Sequence, residues 1–453
     1  EKKKYGIETL SPEKQDSFMK STQFSNLKKE KRENLVNNMN ALWKKILSKH
    51  SKLCDIFIDG GTFGIKKDLT YLDLINKLAD FPFEKIEHDI QGEAYEEQLK
   101  SEMTGKVYGQ FFTPPIVKQI MVELVDPKIL GEKETEYKIE TIYDPAMGTG
   151  GFLITALRHL IKRSKEQNKK LDYNFIKQEG LCGREIEQDT YNLCKANMLI
   201  STGQILDTLE LGDAINKTVD NKDKLFCKTP NNFENKYDIV LTNPPYGIKG
   251  MNYDEIVCDD KKKYIPIKSN SAIPLFIQAI IYMLKVNGRC AVLLPDGQEL
   301  FNNDKGLSEM REYLMKTCDL KKVVYIPGNI FEHTGIATCI LYFHKRRDHK
   351  EVIDVITSGK KISYKFTKTH QTKKVSFYNF QPDQNEKLKQ LGELDIEQIS
   401  KNGYNLKYGS YFGEKEVKYD DTIKVGTISS LCNIENGKRI VKDKAEKGEY
   451  PVY

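Results

Sequence analysis

Seven strand-like runs separated by helix-like runs constrain this chain more than anything else in it. The runs rich in apolar and β-branched residues are 138–143, 180–184, 206–211, 237–241, 288–294, 322–326 and 337–343. Segments with apolar residues at helical spacing lie between several of them, notably 152–161, 189–201 and 272–285. Alternation of this kind makes an α/β fold, a mostly parallel sheet with helices on both faces. Ligands of such sheets sit beyond the carboxyl ends of the strands. An apolar helix precedes the first strand. Ile116, Val117, Ile120, Met121, Leu124 and Val125 form its buried face, with Thr113 suited to the N-cap and Pro114 to the first helical position.

The flanks have a different texture. Residues 1–100 are expected to form a helical N-terminal domain, since Leu35, Met39, Leu42, Trp43, Ile46 and Leu47 recur at helical spacing. The basic stretch 28–32 is expected to be a solvated helix face. The alternating pattern occupies 101–350, interrupted by long, polar, lysine-bearing loops at 216–236 and 247–270. Residues 351–420 are mixed and hydrophilic, an expected extension or linker, and a strand-like piece at 425–434 opens a further segment, 421–453.

Composition narrows the function classes. With 453 residues, 39% of them hydrophobic, the chain can bury a sizeable core, and a net charge of +6 permits nucleic-acid binding without requiring it. The nine cysteines include no C-x-x-C pair and no Cys/His cluster at zinc spacing, so no metal site is expected and buried free thiols in a reducing compartment are. None follows a proline, so the Pro-Cys nucleophile that cytosine C5 methylation would need is missing. The longest apolar run, 272–284, is too short to span a bilayer. No signal peptide opens the chain, and a cytoplasmic protein without a membrane partner is expected. It starts at Glu1 and stops at Tyr453 inside a strand-like run, which suggests a fragment or the ordered part of something longer.

Two motifs carry chemistry. The first, Asp144-Pro145-Ala146-Met147-Gly148-Thr149-Gly150-Gly151-Phe152, links the first strand to a helix. Glycines there allow a tight turn and close approach of backbone to a ligand. The Gly-Lys-Ser/Thr ending of a phosphate-binding loop is absent, which suits an adenosyl ligand without phosphate. Glu185 ends the next strand, where a carboxylate can accept both ribose hydroxyls. Asp213 follows the third strand, where it can accept from an adenine amino group. The second motif, Asn243-Pro244-Pro245-Tyr246, ends the fourth strand. The lone pair of an aromatic amino group is conjugated into its ring and is a poor nucleophile. Two acceptors, the Asn243 side-chain oxygen and the Pro244 carbonyl, can hold that nitrogen towards a tetrahedral geometry and free the lone pair. The prolines fix the backbone, and Tyr246 offers a face on which a planar target stacks. The tetrapeptide alone reports an amino group, not the ring that bears it, so adenine N6, cytosine N4, an RNA adenine and a protein glutamine all remain open.

Residues from about 35 to 412 resemble the modification (M) subunit of type I restriction-modification systems. The resemblance rests on 92–96, on Gly109-Gln110-Phe111-Phe112-Thr113-Pro114, on the two motifs above, and on Gly183-Arg184-Glu185 and Gly212-Asp213. It extends to Leu294-Pro295-Asp296-Gly297, to Phe331 with Thr334-Gly335-Ile336, and to 396–412. It implies a Rossmann-like class I methyltransferase with a seven-stranded sheet. The expected function is site-specific methyl transfer from S-adenosylmethionine to adenine N6 in duplex DNA, the adenine flipped out of the helix. Cofactor contacts are implied at Gln110, Phe111, Phe112, Thr113, Asp144, Pro145, Gly148, Gly150, Glu185, Asp213 and Asn243, and catalysis at Asn243, Pro244, Pro245 and Tyr246. The family usually carries a small residue or cysteine where Met147 stands. Residues 425–428, 434–439 and 450–453 resemble the opening of a specificity subunit's target-recognition domain, which implies a fusion of methyltransferase and sequence reader. Implied partners are a restriction (nuclease or translocase) component, a specificity subunit or a second copy of the chain.

Overall fold

In the computed structural model the described residues are 35–49, 65–78, 113–132, 134–203, 205–215, 233–248, 250–257, 265–331, 335–358, 361–384 and 386–412. The expected recognition-domain start at 421–453 lies outside them, as do Gln110, Phe111 and Phe112 and parts of the loops 216–236 and 247–270. Of the expected N-terminal domain, two helices are described, α1 (Leu35–Lys49) and α2 (Asp68–Leu78).

Helix α3 (Pro115–Val125) leads into the alternating part: β1 (Ile142–Asp144), α4 (Gly151–Glu166), β2 (Leu181–Glu185), α5 (Gln188–Thr202), β3 (Leu209–Leu211), β4 (Tyr237–Thr242), α6 (Ala272–Met283), β5 (Leu284–Pro295), α7 (Lys305–Thr317), β6 (Cys318–Ile326) and β7 (Thr338–Lys345). All seven expected strands form. They lie in the order β6-β7-β5-β4-β1-β2-β3, parallel except for β7, which runs against both neighbours. β1 and β2 are buried along their whole length, as strands covered on both faces must be. Val117 and Met121 of α3, Leu153 and Leu157 of α4 and Ile239 and Leu241 of β4 share one core. Chain order reverses between β1 and β4, so a crevice opens above their carboxyl ends.

Among the described residues the sheet has nine strands, not seven. Within the segment expected to be a linker, β8 (Ile353–Ser358) and β9 (Lys361–Phe366) make a separate antiparallel pair. β10 (Lys374–Phe380) then pairs parallel to β6, β11 (Leu388–Asp395) antiparallel to β10, and a short helix, α8 (Ile396–Lys401), follows. Their hydrophilic look has a physical reason. β10 buries only Val375, Phe377 and Phe380 of its seven residues, and β11 is an edge strand that turns Lys389, Gln390 and Glu393 to water. The apolar signal is therefore half as dense as in the central strands.

The chain divides into two units, 1–406 and a second at 407–453. Only 407–412 of it are described, a 3₁₀ turn at Tyr408–Tyr411. Cys182, Cys194, Cys290, Cys318 and Cys339 are buried and form no disulfide, as expected for core thiols. Among the described residues no helix is long and apolar enough to cross a membrane.

Candidate active site

The glycine turn after β1 divides its labour. Gly148 (φ +53°) and Gly150 (φ +83°) both occupy the left-handed region that favours glycine. A Cβ on Gly148 would meet nothing within 4 Å, and this residue lines the cavity above the sheet. A Cβ on Gly150 would lie 2.8 Å from Cys194 Sγ, so this glycine lets α5 pack against the turn. The buried Asn197 of α5 donates its side-chain N–H to the Thr149 carbonyl at 2.9 Å and pins the turn from behind. The Met147 side chain points down into the core, its Sδ 3.8 Å from Cys194 Sγ. It fits because Gly183 faces it: a Cβ there would lie 2.6 Å from Met147 Sδ.

Three acids stand at the strand ends. Asp144 is fully buried under the turn and accepts from the Ala146 N–H at 3.0 Å. Burial, assisted by the nearby Glu185 charge, pushes its carboxyl up to about 7, against the pull of the Thr242 hydroxyl and the Ala146 N–H. Glu185 accepts from the backbone N–H groups of Gly148, Ile186 and Glu187, each at 3.0 Å. Burial raises its pKa, and those hydrogen bonds oppose the rise. Asp213 accepts from the Ile215 N–H at 2.9 Å. Its loop is held by the buried Arg184, which pairs with Glu210 and donates to the Asp213 carbonyl at 3.3 Å.

Asn243 follows β4 directly. Its side-chain N–H donates to the Thr113 hydroxyl at 3.1 Å. Helix α3 begins one residue later than its sequence suggests, with Pro114 at the N-cap and no side-chain cap, so Thr113 serves this cross-chain bond and not the helix end. The bond uses one N–H of the amide and fixes the orientation of its plane. The acceptor side, Oδ1, is buried and has no hydrogen-bond partner, and neither has the buried Tyr246 hydroxyl, whose pKa burial raises well above its ordinary value. Pro244 is buried and Pro245 exposed.

Both motifs converge on one cavity of about 440 Å³, within the range of small-molecule sites. Thr113, Pro145, Gly148, Glu185, Asp213 and Asn243 through Tyr246 all line it. Asp144 and Gly150 do not: each shapes the turn from beneath, because the carboxyl is drawn to the Ala146 N–H and the glycine faces α5. At the far end the wall is apolar, with Ile248, Met251 and Phe276.

Residues 86–420 match the family model described as N-6 DNA Methylase. The chain belongs to that family. Among related proteins, the Escherichia coli type I restriction enzyme EcoEI methylase subunit is 32% identical over 284 residues, covering 62% of this chain and 51% of that protein. The Mycoplasma pneumoniae type I restriction enzyme MpnII methylase subunit is 28% identical over 373 residues, 80% of this chain and 63% of that protein. The chain thus spans about half to three-fifths of these relatives. A crystal structure of the type I restriction-modification methyltransferase subunit from Streptococcus thermophilus shares the fold at a TM-score of 0.56, with 22% identity over 84% of this chain and 78% of that one.

Three residues with no role assigned from sequence help to build the site: Lys118 on the cavity wall, Arg184 behind the Asp213 loop and Asn197 behind the glycine turn. Asn197 left one legible trace. It is a polar residue on the face of α5 that also carries Cys194, Met198 and Ser201, all buried.

Proposed function

We propose that this chain is the catalytic part of a site-specific DNA methyltransferase that moves a methyl group from S-adenosylmethionine to adenine N6 in duplex DNA, within a restriction-modification system. The observation that carries this reading is the Asn243 side chain: its N–H is engaged by Thr113, and its buried oxygen faces the same cavity as Gly148 and Glu185 with no partner. An orphaned buried acceptor costs about 1–3 kcal/mol, and an amino donor from a target base removes that cost. The open side of Gly148 and the strand-end acids Glu185 and Asp213 fit an adenosyl group with ribose hydroxyls. When bound there, S-adenosylmethionine supplies an electrophilic methyl on a sulfonium. The residues of the chain do the rest. Asn243 Oδ1 and the Pro244 carbonyl accept from the target amino group, the Pro-Pro pair holds that carbonyl in place, and Tyr246 stacks on the flipped ring. The attacking nitrogen needs no strong base, since its proton leaves after attack, so positioning contributes most of the rate.

The relatives are named as methylase subunits of type I restriction enzymes, which supports a restriction component and a specificity subunit, or the reader implied at 421–453, as partners, and a cytoplasmic setting. The division into 1–100, 101–350, 351–420 and 421–453 belongs to the same proposal. Changing Asn243→Ala is expected to lower methyl transfer to duplex DNA by ~10²–10³-fold while S-adenosylmethionine still binds. The assay is transfer of labelled methyl followed by nucleoside analysis. Near-normal transfer by the variant refutes the role of Asn243, and label on cytosine N4 or on RNA corrects the target.

A further inference from the structure

Positive charge is not spread evenly along this chain. Residues 355–382 hold six lysines and no aspartate or glutamate, so this stretch alone equals the net charge of +6 carried by all 453 residues. A solvated face usually mixes both signs. Three of the six lysines lie within the hairpin β8–β9, which stands apart from the nine-stranded sheet. Asp354, the one acid of 353–366, stands opposite Lys365 in the register and leaves the hairpin positive. One face of β9 docks on α7. The Phe366 ring stacks on Tyr313 with centroids 5.8 Å apart, and the Tyr364 hydroxyl donates to Glu309. Strand residues alternate between faces, so the exposed Lys365 lies on the other face, and Lys361 holds a strand position of the same parity.

Those two contacts also fix the direction of the hairpin. From Phe366 to Tyr364 the strand moves towards its turn, while the partners on α7 step back from Tyr313 to Glu309. The turn therefore points to the amino end of α7. That end adjoins the cavity. A Cβ on Gly306 would lie 3.2 Å from the Lys268 carbonyl. The segment after Lys268 is bonded to the cavity wall: the Met251 N–H donates to the Asn270 carbonyl at 3.1 Å, and the Ala272 N–H to the Ile248 carbonyl at 3.3 Å. The exposed Lys305, first residue of α7, stands on this path. Acids along it are engaged within the chain, Glu309 by Tyr364 and Asp254 by Lys268 at 3.4 Å.

We infer that the β8–β9 hairpin contacts the phosphate backbone of duplex DNA beside the target base, on the side of the cavity mouth formed by α7 and residues 268–272. The inference rests on the proposed DNA substrate and deepens it, since it names a surface that holds the duplex. A duplex carries one negative charge per ~1.7 Å of its axis, and lysines that neutralise phosphates add affinity and fix register without reading sequence. Lys361 and Lys365 stand four residues apart on β9, about 13 Å, so two phosphates of one strand are reached together. Flipping a base costs a few kcal/mol of stacking and pairing, and backbone contacts beside it offset that cost. The aim of the hairpin turn at the cavity mouth favours, among polyanions, the one whose base enters the cavity.

The test is fluorescence anisotropy of the full chain with a labelled duplex, at salt from ~50 to ~200 mM. The wild type is compared with Lys361→Gln/Lys365→Gln, with Lys361→Arg/Lys365→Arg, and with Lys373→Gln/Lys374→Gln, a control pair at the amino end of β10. The glutamine pair on β9 should bind roughly 3- to 10-fold more weakly at ~100 mM salt, and its slope of log Kd against log salt should fall by ~2, about 0.9 per lost phosphate contact. The arginine pair should bind as the wild type does, and the control pair should stay within about twofold. An unchanged slope in the β9 glutamine pair, or an equal loss in the control pair, overturns the assignment. So does a loss in the arginine pair, which would trace the effect to packing and not to charge. Polyglutamate that binds as tightly as the duplex and loses as much in the β9 variant makes the surface a reader of acidic protein and overturns DNA as its partner. A wild type that binds S-adenosylmethionine but no duplex at the lowest salt overturns the proposed substrate, and the hairpin's role with it.

Discussion

The two ends of the parallel strands handle polar groups in opposite ways. At the amino ends, charged side chains are paired within the chain. Asp238, at the start of β4, accepts from the Thr141 N–H and hydroxyl and from Lys285, at 2.7–2.9 Å. Arg289 of β5 forks onto both oxygens of Glu140 and donates to the Val125 and Asp126 carbonyls. Lys345, buried at the end of the reversed β7, donates to Asn235 and to the Ile281 and Leu284 carbonyls. At the carboxyl ends the accounts are left open. Asn243 Oδ1 and the Tyr246 hydroxyl are buried without partners, and Asp144 is held with its pKa far above the carboxylate range. One end of the sheet ties α3, β1, β4 and β5 together, and the other keeps unspent acceptors for a ligand. Stability and function are drawn from the same strands and separated by the direction in which they run.

Three changes break or sharpen that contrast. Arg289→Met removes the fork at the amino ends and strands Glu140, which is 13% exposed. It should cost about 3–5 kcal/mol of stability and leave donor affinity within about twofold where the protein remains folded. Urea unfolding and calorimetry check the two halves, and a loss below about 1 kcal/mol would show that the amino ends do not anchor the fold.

Asp144→Asn acts at the other end. The acid's folded pKa, about 7, lies above its ordinary 3.8. From pH ~4 to ~7 the unfolded chain ionises here while the folded protein does not, so folded stability falls as pH rises through that window, by up to roughly 4 kcal/mol in total. The variant should lack that slope and gain on the wild type at pH 8 relative to pH 5. Identical pH dependence of denaturation midpoints in the two proteins would falsify the burial argument.

The smallest expected effect is that of Thr113→Val. Freeing the Asn243 amide should slow methyl transfer by ~10-fold with a stability change of about 1 kcal/mol or less. Thr113→Ser should restore the rate in single-turnover measurements, and an unaltered rate in the valine variant would remove the amide clamp from the mechanism.

Much of this is legible in the amino-acid sequence. Alternating apolar runs fix strand and helix because burial demands a period of two or 3.6 residues, and the glycine turn and Asn243-Pro244-Pro245-Tyr246 fall at strand ends because only there can backbone turn out of the sheet. The outer pair β10 and β11 was not legible, since a strand with one wet face carries half the apolar signal. Nor was the bond between Asn243 and Thr113, which spans 130 residues and takes from a helix cap the hydroxyl that local rules assign to it.

The sequence by itself therefore determined the sheet's central order of elements and the chemistry its strand ends can offer, because local periodicity and residue type are properties of neighbours in the chain. Only the tertiary structure decided which acceptors stay unsatisfied, which glycine faces ligand and which faces helix, and where the buried charge of Lys118 points. Those depend on what the crossovers bring together from distant parts of the chain, and no local pattern contains that.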